Sequence, residues 1–241
     1  MGTMDGSLAQ TREVLHRVAA HILARRCFEV SGRIALRPSP GGIATPAFGE
    51  PPECLRIAGG VLVREVGDKA AYASINGATL RRLARFAGAS LEAPFTQGGD
   101  AIPDLGDPDE VVELGTKHVA TLADWYALGC QVLDEVMATL PASASPATLQ
   151  LWPEHFDIGT DVGLANGGRV NLGCSPGDAH VDEPYLYLGP WGDARPGDPA
   201  YWNAPFGAVL RASEVAGSAD SIADGVRFLH TGLDRLSPPT T

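Results

Sequence analysis

Residues 54–75 of the chain read CLRIAGGVLVREVGDKAAYASI, and this stretch decides the fold. Two apolar runs, 54–58 and 61–66, flank Gly59-Gly60, a pair typical of a tight turn between antiparallel strands. Gly67-Asp68 marks a second turn before a third run at 69–75. The stretch therefore predicts a meander of three antiparallel strands.

Helical periodicity appears in segments on either side of this meander. Apolar residues recur at three- and four-residue spacing over 8–27, 77–87, 116–140 and 219–236. Ser7 is a suitable N-cap for the first of these helices and Asn76 for the second. Further strands are predicted at 28–37, 148–160, 169–173, 185–188 and 208–211. The sequence thus predicts an α+β fold, with antiparallel sheet structure and about four main helices.

Residues 88–115 differ from the segments around them, because they combine prolines, glycines and acids with little periodicity. We interpret them as a loop that ends an N-terminal α+β half, 1–115. The remaining residues, 116–241, form a C-terminal half that is acidic and rich in aromatic residues. The two halves form either separate units or one compact domain.

A nine-residue pattern recurs in the two halves. RIALRPSPG (33–41) and RVNLGCSPG (169–177) are identical at five positions. Duplication of an ancestral α+β half explains the recurrence and predicts two pseudo-repeated halves. Chance recurrence of a strand followed by a Ser-Pro-Gly turn is the alternative.

The charge of the chain is uneven. It has 18 Lys and Arg against 29 Asp and Glu, a net charge of −11. Residues 1–120 hold 13 basic and 14 acidic residues, whereas residues 121–241 hold 5 and 15. Phosphate contacts need clustered basic residues, so the composition argues against a nucleic-acid partner. The acidity serves either solubility or a cation or basic ligand.

The compartment can also be predicted. Charged residues interrupt the first 27 positions, and no run approaches the roughly 20 apolar residues of a membrane-spanning helix. The four cysteines are far apart and form no C-x-x-C pair, which indicates reduced thiols. These features predict a cytoplasmic protein without a membrane partner. The oligomeric state is left open.

A cluster of His, Asp and Glu residues is the main candidate for chemistry. On a single strand over 148–160, His155 and Asp157 would share one face. His180 and Glu183 lie between the next two strands and would approach that face across the sheet. Two imidazoles with carboxylates suit Zn²⁺ or Fe²⁺, which could activate water or polarise a carbonyl.

The same cluster admits two other interpretations. Without a metal, His155 and either Glu154 or Glu183 would form a general acid–base pair. In the second, His155 is a hydrogen-bonded residue of a half-buried strand, and the acids are solvated loop residues.

Aromatic residues lie close in sequence to these polar groups. Amphipathic rings beside a few polar side chains are typical of a small-molecule pocket. Cross-strand packing of the tyrosines in a core is the alternative. The candidate ligand-binding residues are Trp152, Tyr185, Tyr187, Trp191 and Trp202.

Three segments carry a resemblance to other proteins. LWPEHFD (151–157), SPGDAHVDEPYLYLGPW (175–191) and YWNAPFGA (201–208) resemble segments of an uncharacterised family of bacterial hypothetical proteins. The resemblance implies no activity, cofactor or site residue.

The residues themselves favour a cytosolic small-molecule enzyme with its site in the C-terminal half. A metal-assisted hydrolase or isomerase is the leading hypothesis. The alternative is a non-catalytic protein that binds a small ligand in an aromatic pocket or serves as an interaction module.

Overall fold

The computed structural model describes residues 7–95 and 101–237. Within them the chain has an α+β fold with two antiparallel sheets of five strands each. The predicted fold class is confirmed, including the four helices of seven residues or more. The helical segments are α1 (Leu8–Val18), a π-helical segment (Ala19–Ala24), α2 (Arg25–Ser31), α3 (Leu80–Ala87), α4 (Thr116–Thr139), α5 (Ala212–Val215) and α6 (Ser221–Leu236). The strands are β1 (Arg37–Ser39), β2 (Gly42–Ala44), β3 (Glu53–Ala58), β4 (Val61–Val66), β5 (Lys69–Ser74), β6 (Gln150–Trp152), β7 (Asp157–Gly163), β8 (Arg169–Ser175), β9 (Tyr185–Pro190) and β10 (Ala208–Arg211).

Contacts divide the chain into two units. The first extends to Asp124 and includes Gln150–Phe156. The second contains Trp125–Leu149 and the residues from Asp157 onward. The division therefore falls inside α4 and not at the end of the 88–115 loop.

The sheet of the first unit is a meander with the order β1-β2-β3-β4-β5. Gly59 and Gly60 join β3 to β4 with φ angles of 57° and 81°, which favour glycine in a two-residue hairpin turn. Gly67-Asp68 joins β4 to β5 in the same way, since Val66 lies opposite Lys69. The quoted stretch thus folds as its turn residues predict.

The first helix is continuous from α1 through the π-helical segment to α2. Ser7 caps it as predicted, because its Oγ accepts from the Gln10 N–H while the Gln10 side chain accepts from the Ser7 N–H. The predicted strand over 28–37 is wrong, since the helix continues to Ser31. Gly32, with φ of 71°, provides the left-handed C-cap that ends it.

Three side chains of the first helix hold the segment that follows α3. Arg17, His21 and Arg25, spaced four residues apart, donate to the carbonyl oxygens of Leu105, Pro103 and Ala93. The distances are 3.4, 2.7 and 2.6 Å. The described parts of the predicted 88–115 loop are therefore bound to the first unit. Residues 96–100 of that loop lie outside the described residues.

A buried carboxylate joins the sheet of the first unit to two helices. Glu53 on β3 is 6% exposed and accepts from Arg26 at 2.9 Å and Arg64 at 3.0 Å. The same two guanidinium groups donate to the carbonyls of Gly88 and Phe86 at the end of α3. Cations at a helix C-terminus are favourable, so the network stabilises α3 as well as the sheet.

The second unit contains strands in the order β10-β9-β8-β7, with α4 and α6 packed on them. Gly129 of α4 lies against β8 so closely that a Cβ there would be 2.2 Å from the Cys174 Sγ. The Trp125 indole N–H donates to the Ser175 carbonyl at 2.9 Å. A Cβ at Gly225 of α6 would be 2.7 Å from Leu186. Glycines therefore set how close both helices come to the sheet.

The two copies of the nine-residue pattern occupy different places in these sheets. Residues 33–41 include β1 and the tight turn into β2, whereas residues 169–177 include all of β8 and the beginning of a longer loop. The matching letters therefore do not mark equivalent structural positions.

The features used to predict the compartment can be compared with the structure. In the described ranges every helix is too short or too polar to cross a lipid bilayer. All four cysteines are free thiols, as predicted, and Cys27 and Cys174 are buried.

Candidate functional site

The predicted site residues are distributed over both units. Trp152, Glu154 and His155 belong to the first unit. Those in the second unit are Asp157, His180, Glu183, Tyr185, Tyr187, Trp191 and Trp202.

The segment 148–160 is not one strand, so this prediction is wrong. A turn separates β6 from β7, and the Phe156 N–H closes it by donating to the Trp152 carbonyl at 2.7 Å. Pro153 within the turn lacks the N–H that a strand ladder needs, and Phe156 has a left-handed φ of 58°. His155 lies in the turn, so it does not share a strand face with Asp157.

The turn is held by a buried histidine of the first helix. The His16 Nε2 lies 2.9 Å from the Pro153 carbonyl oxygen, and the His16 ring stacks on Phe156 at 5.1 Å between centroids. Burial lowers the pKa of His16 to about 4, so the ring is neutral at pH 7 and its Nε2–H donates. His16 thus fixes the shape of the 153–156 segment.

Glu154 and His155 differ in their surroundings. Glu154 is 7% exposed, and among the described residues its Oε2 has no hydrogen-bond partner. His155 is exposed. An ionised carboxylate is costly to bury without hydrogen bonds, which makes Glu154 the acid–base candidate of the first unit.

Asp157 of the second unit is bound by a tyrosine. The Tyr187 hydroxyl donates to Oδ2 of Asp157 at 2.5 Å. Tyr187 on β9 lies across Gly173 on β8, where a Cβ would be 2.3 Å from the phenol ring. Burial and the Asp157 charge raise the pKa of Tyr187 well above its usual value, so the phenol stays a neutral donor.

Tyr185 is also held by a carboxylate. Its hydroxyl donates to Oδ2 of Asp178 at 2.6 Å, and Oδ1 of Asp178 accepts from the backbone N–H groups of His180 and Val181. Burial raises the pKa of Tyr185. Asp178 therefore shapes the loop between β8 and β9, a role for which the sequence gave no separate signal.

Tyr185 and Tyr187 are part of a packed cluster. Its members are Val181, Tyr185 and Val209, with Tyr187, Ala204 and Phe206 packed against them. This is the core arrangement that the sequence left open as the alternative to a pocket.

His180 and Glu183 contact different partners. His180 is exposed, with its ring edge-on to Phe206 at 6.0 Å. The two Glu183 oxygens accept from the N–H and the Oγ of Ser213 in α5, both at 2.9 Å. Glu183 therefore fixes the start of α5.

No three His, Cys, Asp or Glu side chains within residues 7–95 and 101–237 form a group that could hold a metal ion. The site at His155, Asp157, His180 and Glu183, with its Zn²⁺ or Fe²⁺ ion, stays a prediction.

The 190–206 loop is organised by Arg195 and Trp202. The Arg195 guanidinium donates to the carbonyls of Gly192, Ala194 and Phe206 at 2.8 to 3.2 Å, and it lies 5.5 Å from the centre of the Trp202 ring. The Trp202 indole N–H donates to the Pro196 carbonyl at 2.9 Å. The ring of Trp202 thus has a structural role in this loop.

Trp191 lies at a cavity of about 480 Å³ in the second unit. This volume is within the usual range for small-ligand sites. Trp191 is 63% exposed, more than any other tryptophan. The walls are the β7–β8 turn, the segment after β9 and the end of α6, formed by Leu164, Asn166, Gly167, Gly168, Arg169, Pro190, Trp191, Gly192, Ala194, Pro196 and Leu236.

Two residues of β8 orient Trp191. Its indole N–H donates to Oδ1 of Asn171 at 2.7 Å, and the Arg169 guanidinium lies 5.8 Å from the ring centre. Arg169 is itself paired with Asp161 on β7 and donates to the Ser145 carbonyl. The ring is therefore fixed in place while the arginine charge is compensated.

Sequence reasoning missed Arg169, Asn171 and Arg195. Arg169 and Asn171 are two apart on β8, on one side of the strand, and this alternation was visible in the sequence. Their pairing with Trp191 depends on the register of β8 and β9, which the sequence does not specify.

No protein-family model, curated protein or solved structure matches the chain. The resemblance of its segments to an uncharacterised bacterial family therefore stays a prediction.

Proposed function

We propose that the protein binds a small neutral ligand at the cavity beside Trp191, and that this ligand is a pyranose saccharide. The observation that carries the proposal is the exposed indole ring of Trp191 at the wall of a ligand-sized cavity. Single exposed apolar residues are common on protein surfaces, whereas an exposed tryptophan fixed at a cavity is typical of a binding site.

The hydrogen bonding of Trp191 favours contact through the face of the ring. Its N–H is already bonded to Asn171, so the π surface is the part left for a ligand. The face of an aromatic ring is electronegative and attracts the slightly positive C–H groups of an apolar surface. A pyranose ring has such a C–H face, with hydroxyl groups around its edge.

The charges around the cavity favour a neutral ligand. Arg169 is paired with Asp161, so it has no uncompensated charge to attract a phosphate or carboxylate. The sequence beyond residue 120 has 5 basic and 15 acidic residues, which repels anions further. Nucleotides and acidic metabolites are therefore disfavoured.

The small residues of the cavity wall allow a flat ring to approach. Gly167, Gly168, Gly192 and Ala194 present backbone in place of long side chains. Exposed peptide groups can hydrogen-bond hydroxyls at the edge of a sugar while its face packs on Trp191. Binding of this kind needs no reactive side chain.

The test is calorimetric titration with maltose, cellobiose, lactose and chitobiose. We expect at least one to bind, and Trp191→Ala to weaken it by about tenfold or more, since a stacked aromatic contributes roughly 1–3 kcal/mol. Trp191→Phe should retain most of the affinity.

Trp152→Ala is the matched control, because Trp152 is a second exposed tryptophan that does not line the cavity. It should bind as the wild type does. Binding of none of the four sugars at millimolar concentration, or equal affinity in Trp191→Ala, would contradict the proposal.

An acid–base enzyme is the second candidate, favoured by the buried Oε2 of Glu154, for which the described residues offer no hydrogen-bond partner. It predicts that Glu154→Gln abolishes turnover of a substrate that the variant still binds. The metal-assisted hydrolase or isomerase remains an untested form of this candidate.

A further inference from the structure

We propose that two copies of the chain pair through strand β5, joining their first-unit sheets edge to edge. Strand β5 is the last strand in the order β1-β2-β3-β4-β5. Five of its six residues are exposed and the sixth is half-buried. None of the strands in the described parts of the chain pairs with its outer edge.

The register shows which backbone groups point outward from β5. Ile75 donates to the Gly60 carbonyl at 3.0 Å, and Ile75 lies opposite Gly60 in the register of Val61 with Ser74. Hydrogen-bonded and non-bonded pairs alternate along an antiparallel ladder. Lys69, Ala71 and Ala73 therefore bond to β4, while the N–H and C=O groups of Ala70, Tyr72 and Ser74 point to the open edge.

This edge lacks the usual protection against pairing. Edge strands are normally blocked by prolines, bulges or several charges. Strand β5 has the sequence KAAYAS, with one charge at its first residue. Its register with β4 is regular from Lys69 to Ser74, so there is no bulge along it. Tyr72 is 66% exposed on this strand.

A second copy of the chain fits this edge by symmetry. A two-fold axis at Tyr72 places Tyr72 opposite its equivalent and Ala70 opposite Ser74, so every outward donor meets an outward acceptor. Lys69 then lies opposite Ile75, and no like charges face each other. Residues 1–120 have 13 basic and 14 acidic residues, so this half of the sequence is nearly neutral.

Cysteine cross-linking tests the position of the axis. Directly opposite residues in a hydrogen-bonded pair have Cα atoms about 5.5 Å apart, within the range for a disulfide. Tyr72→Cys should therefore form a covalent dimer under mild oxidation. Ser74→Cys is the matched control and should not, because two Ser74 residues would lie about 13 Å apart along the ladder.

Mixing two single variants gives a second test of the register. Ala70→Cys with Ser74→Cys should form a mixed disulfide dimer, whereas neither alone should cross-link. The wild type measures any background from its own four cysteines, two of which are buried. Equal cross-linking at positions 72 and 74, or none at 72, would overturn the proposal.

Sedimentation velocity over a range of concentrations tests the association itself. We expect a weak, concentration-dependent dimer, because six paired residues bury less surface than a standard interface. Tyr72→Pro removes an outward N–H without removing a bond to β4, so it should shift the protein to monomer. A wild-type monomer at every concentration, or an unchanged dimer in a folded Tyr72→Pro variant, would contradict pairing through β5. If Tyr72→Pro does not fold, the cross-linking decides.

Discussion

The indole N–H of Trp191 donates a 2.7 Å hydrogen bond to Oδ1 of Asn171. Asn171 is on β8, and Trp191 follows the last residue of the neighbouring β9. The bond therefore ties the ring to the adjacent strand and sets its orientation at the cavity. It makes Asn171 a positioning residue that acts through Trp191.

Removing this acceptor should weaken binding without unfolding the protein. We expect Asn171→Ala to lower saccharide affinity several-fold, since a single neutral hydrogen bond contributes about 1 kcal/mol. Asn171→Asp keeps the acceptor and should bind nearly as well as the wild type. Faster hydrogen exchange of the Trp191 indole N–H in Asn171→Ala, measured by NMR, would show loss of orientation. Identical exchange rates would argue against the positioning role.

A methyl group at Gly129 should destabilise the second unit. In an exposed helix, Gly→Ala typically stabilises by about 1 kcal/mol. Here the new Cβ would lie 2.2 Å from the Cys174 Sγ, so we expect a net loss of about 1–3 kcal/mol in urea unfolding. The double variant Gly129→Ala/Cys174→Gly should recover part of the loss. Thermal stability of Gly129→Ala above the wild-type value would disprove the close packing.

Two glutamates of the first unit should differ strongly in their contribution to stability. Glu53→Ala leaves Arg26 and Arg64 beside a buried site, and we expect a loss of about 3–5 kcal/mol. Glu65→Ala is the matched control, since Glu65 pairs with Arg56 at a more exposed position and should cost less than about 1 kcal/mol. Equal losses in the two variants would refute the network around Glu53.

His16 should make the protein sensitive to acid. The folded-state pKa is about 4, below the ordinary value of 6.5, so the unfolded chain takes up the proton first. Stability is therefore fully present above pH 6.5 and falls as the pH drops toward 4, by at most about 3 kcal/mol from this group.

Unfolding of His16→Gln across the same pH range measures this contribution. The variant should show a smaller loss on acidification than the wild type. His180→Gln changes an exposed histidine and should follow the wild-type curve. Parallel curves for His16→Gln and the wild type would exclude the contribution.

Neutralising Glu154 should stabilise the first unit. An amide costs less to bury than a carboxylate, so Glu154→Gln should raise the unfolding free energy by about 1 kcal/mol. Glu13→Gln is the control at an exposed position and should change little. A lower melting temperature for Glu154→Gln than for the wild type would contradict this interpretation of the buried oxygen.

The local elements of the fold were predictable where a few adjacent residues determine them. Gly59-Gly60 specifies its hairpin through positive φ angles, and Ser7 with Gln10 specifies a helix start. The break at 153–156 was not, because apolar residues on either side of Pro153 continue a strand-like pattern. The contact with His16, far away in sequence, holds the turn in place.

The candidate site was predictable only in part. Composition drew attention to Trp191, Trp202 and the two tyrosines, but the pattern could not distinguish exposed from buried rings. Trp202 is held by Arg195 and Tyr187 by Asp157, whereas Trp191 faces the cavity. These differences follow from strand register and loop contacts, which form only in the folded chain.

The π-helical segment Ala19–Ala24 sets the length of chain between two parts of the first helix. A π turn contains one residue more than an α turn, and each residue of an α-helix rotates direction by about 100°. Removing one residue from this segment would still leave a helix, but Arg25 and Cys27 would point about 100° away from their present partners. The number of residues in the segment, more than their identity, therefore decides which side chains of α2 are buried.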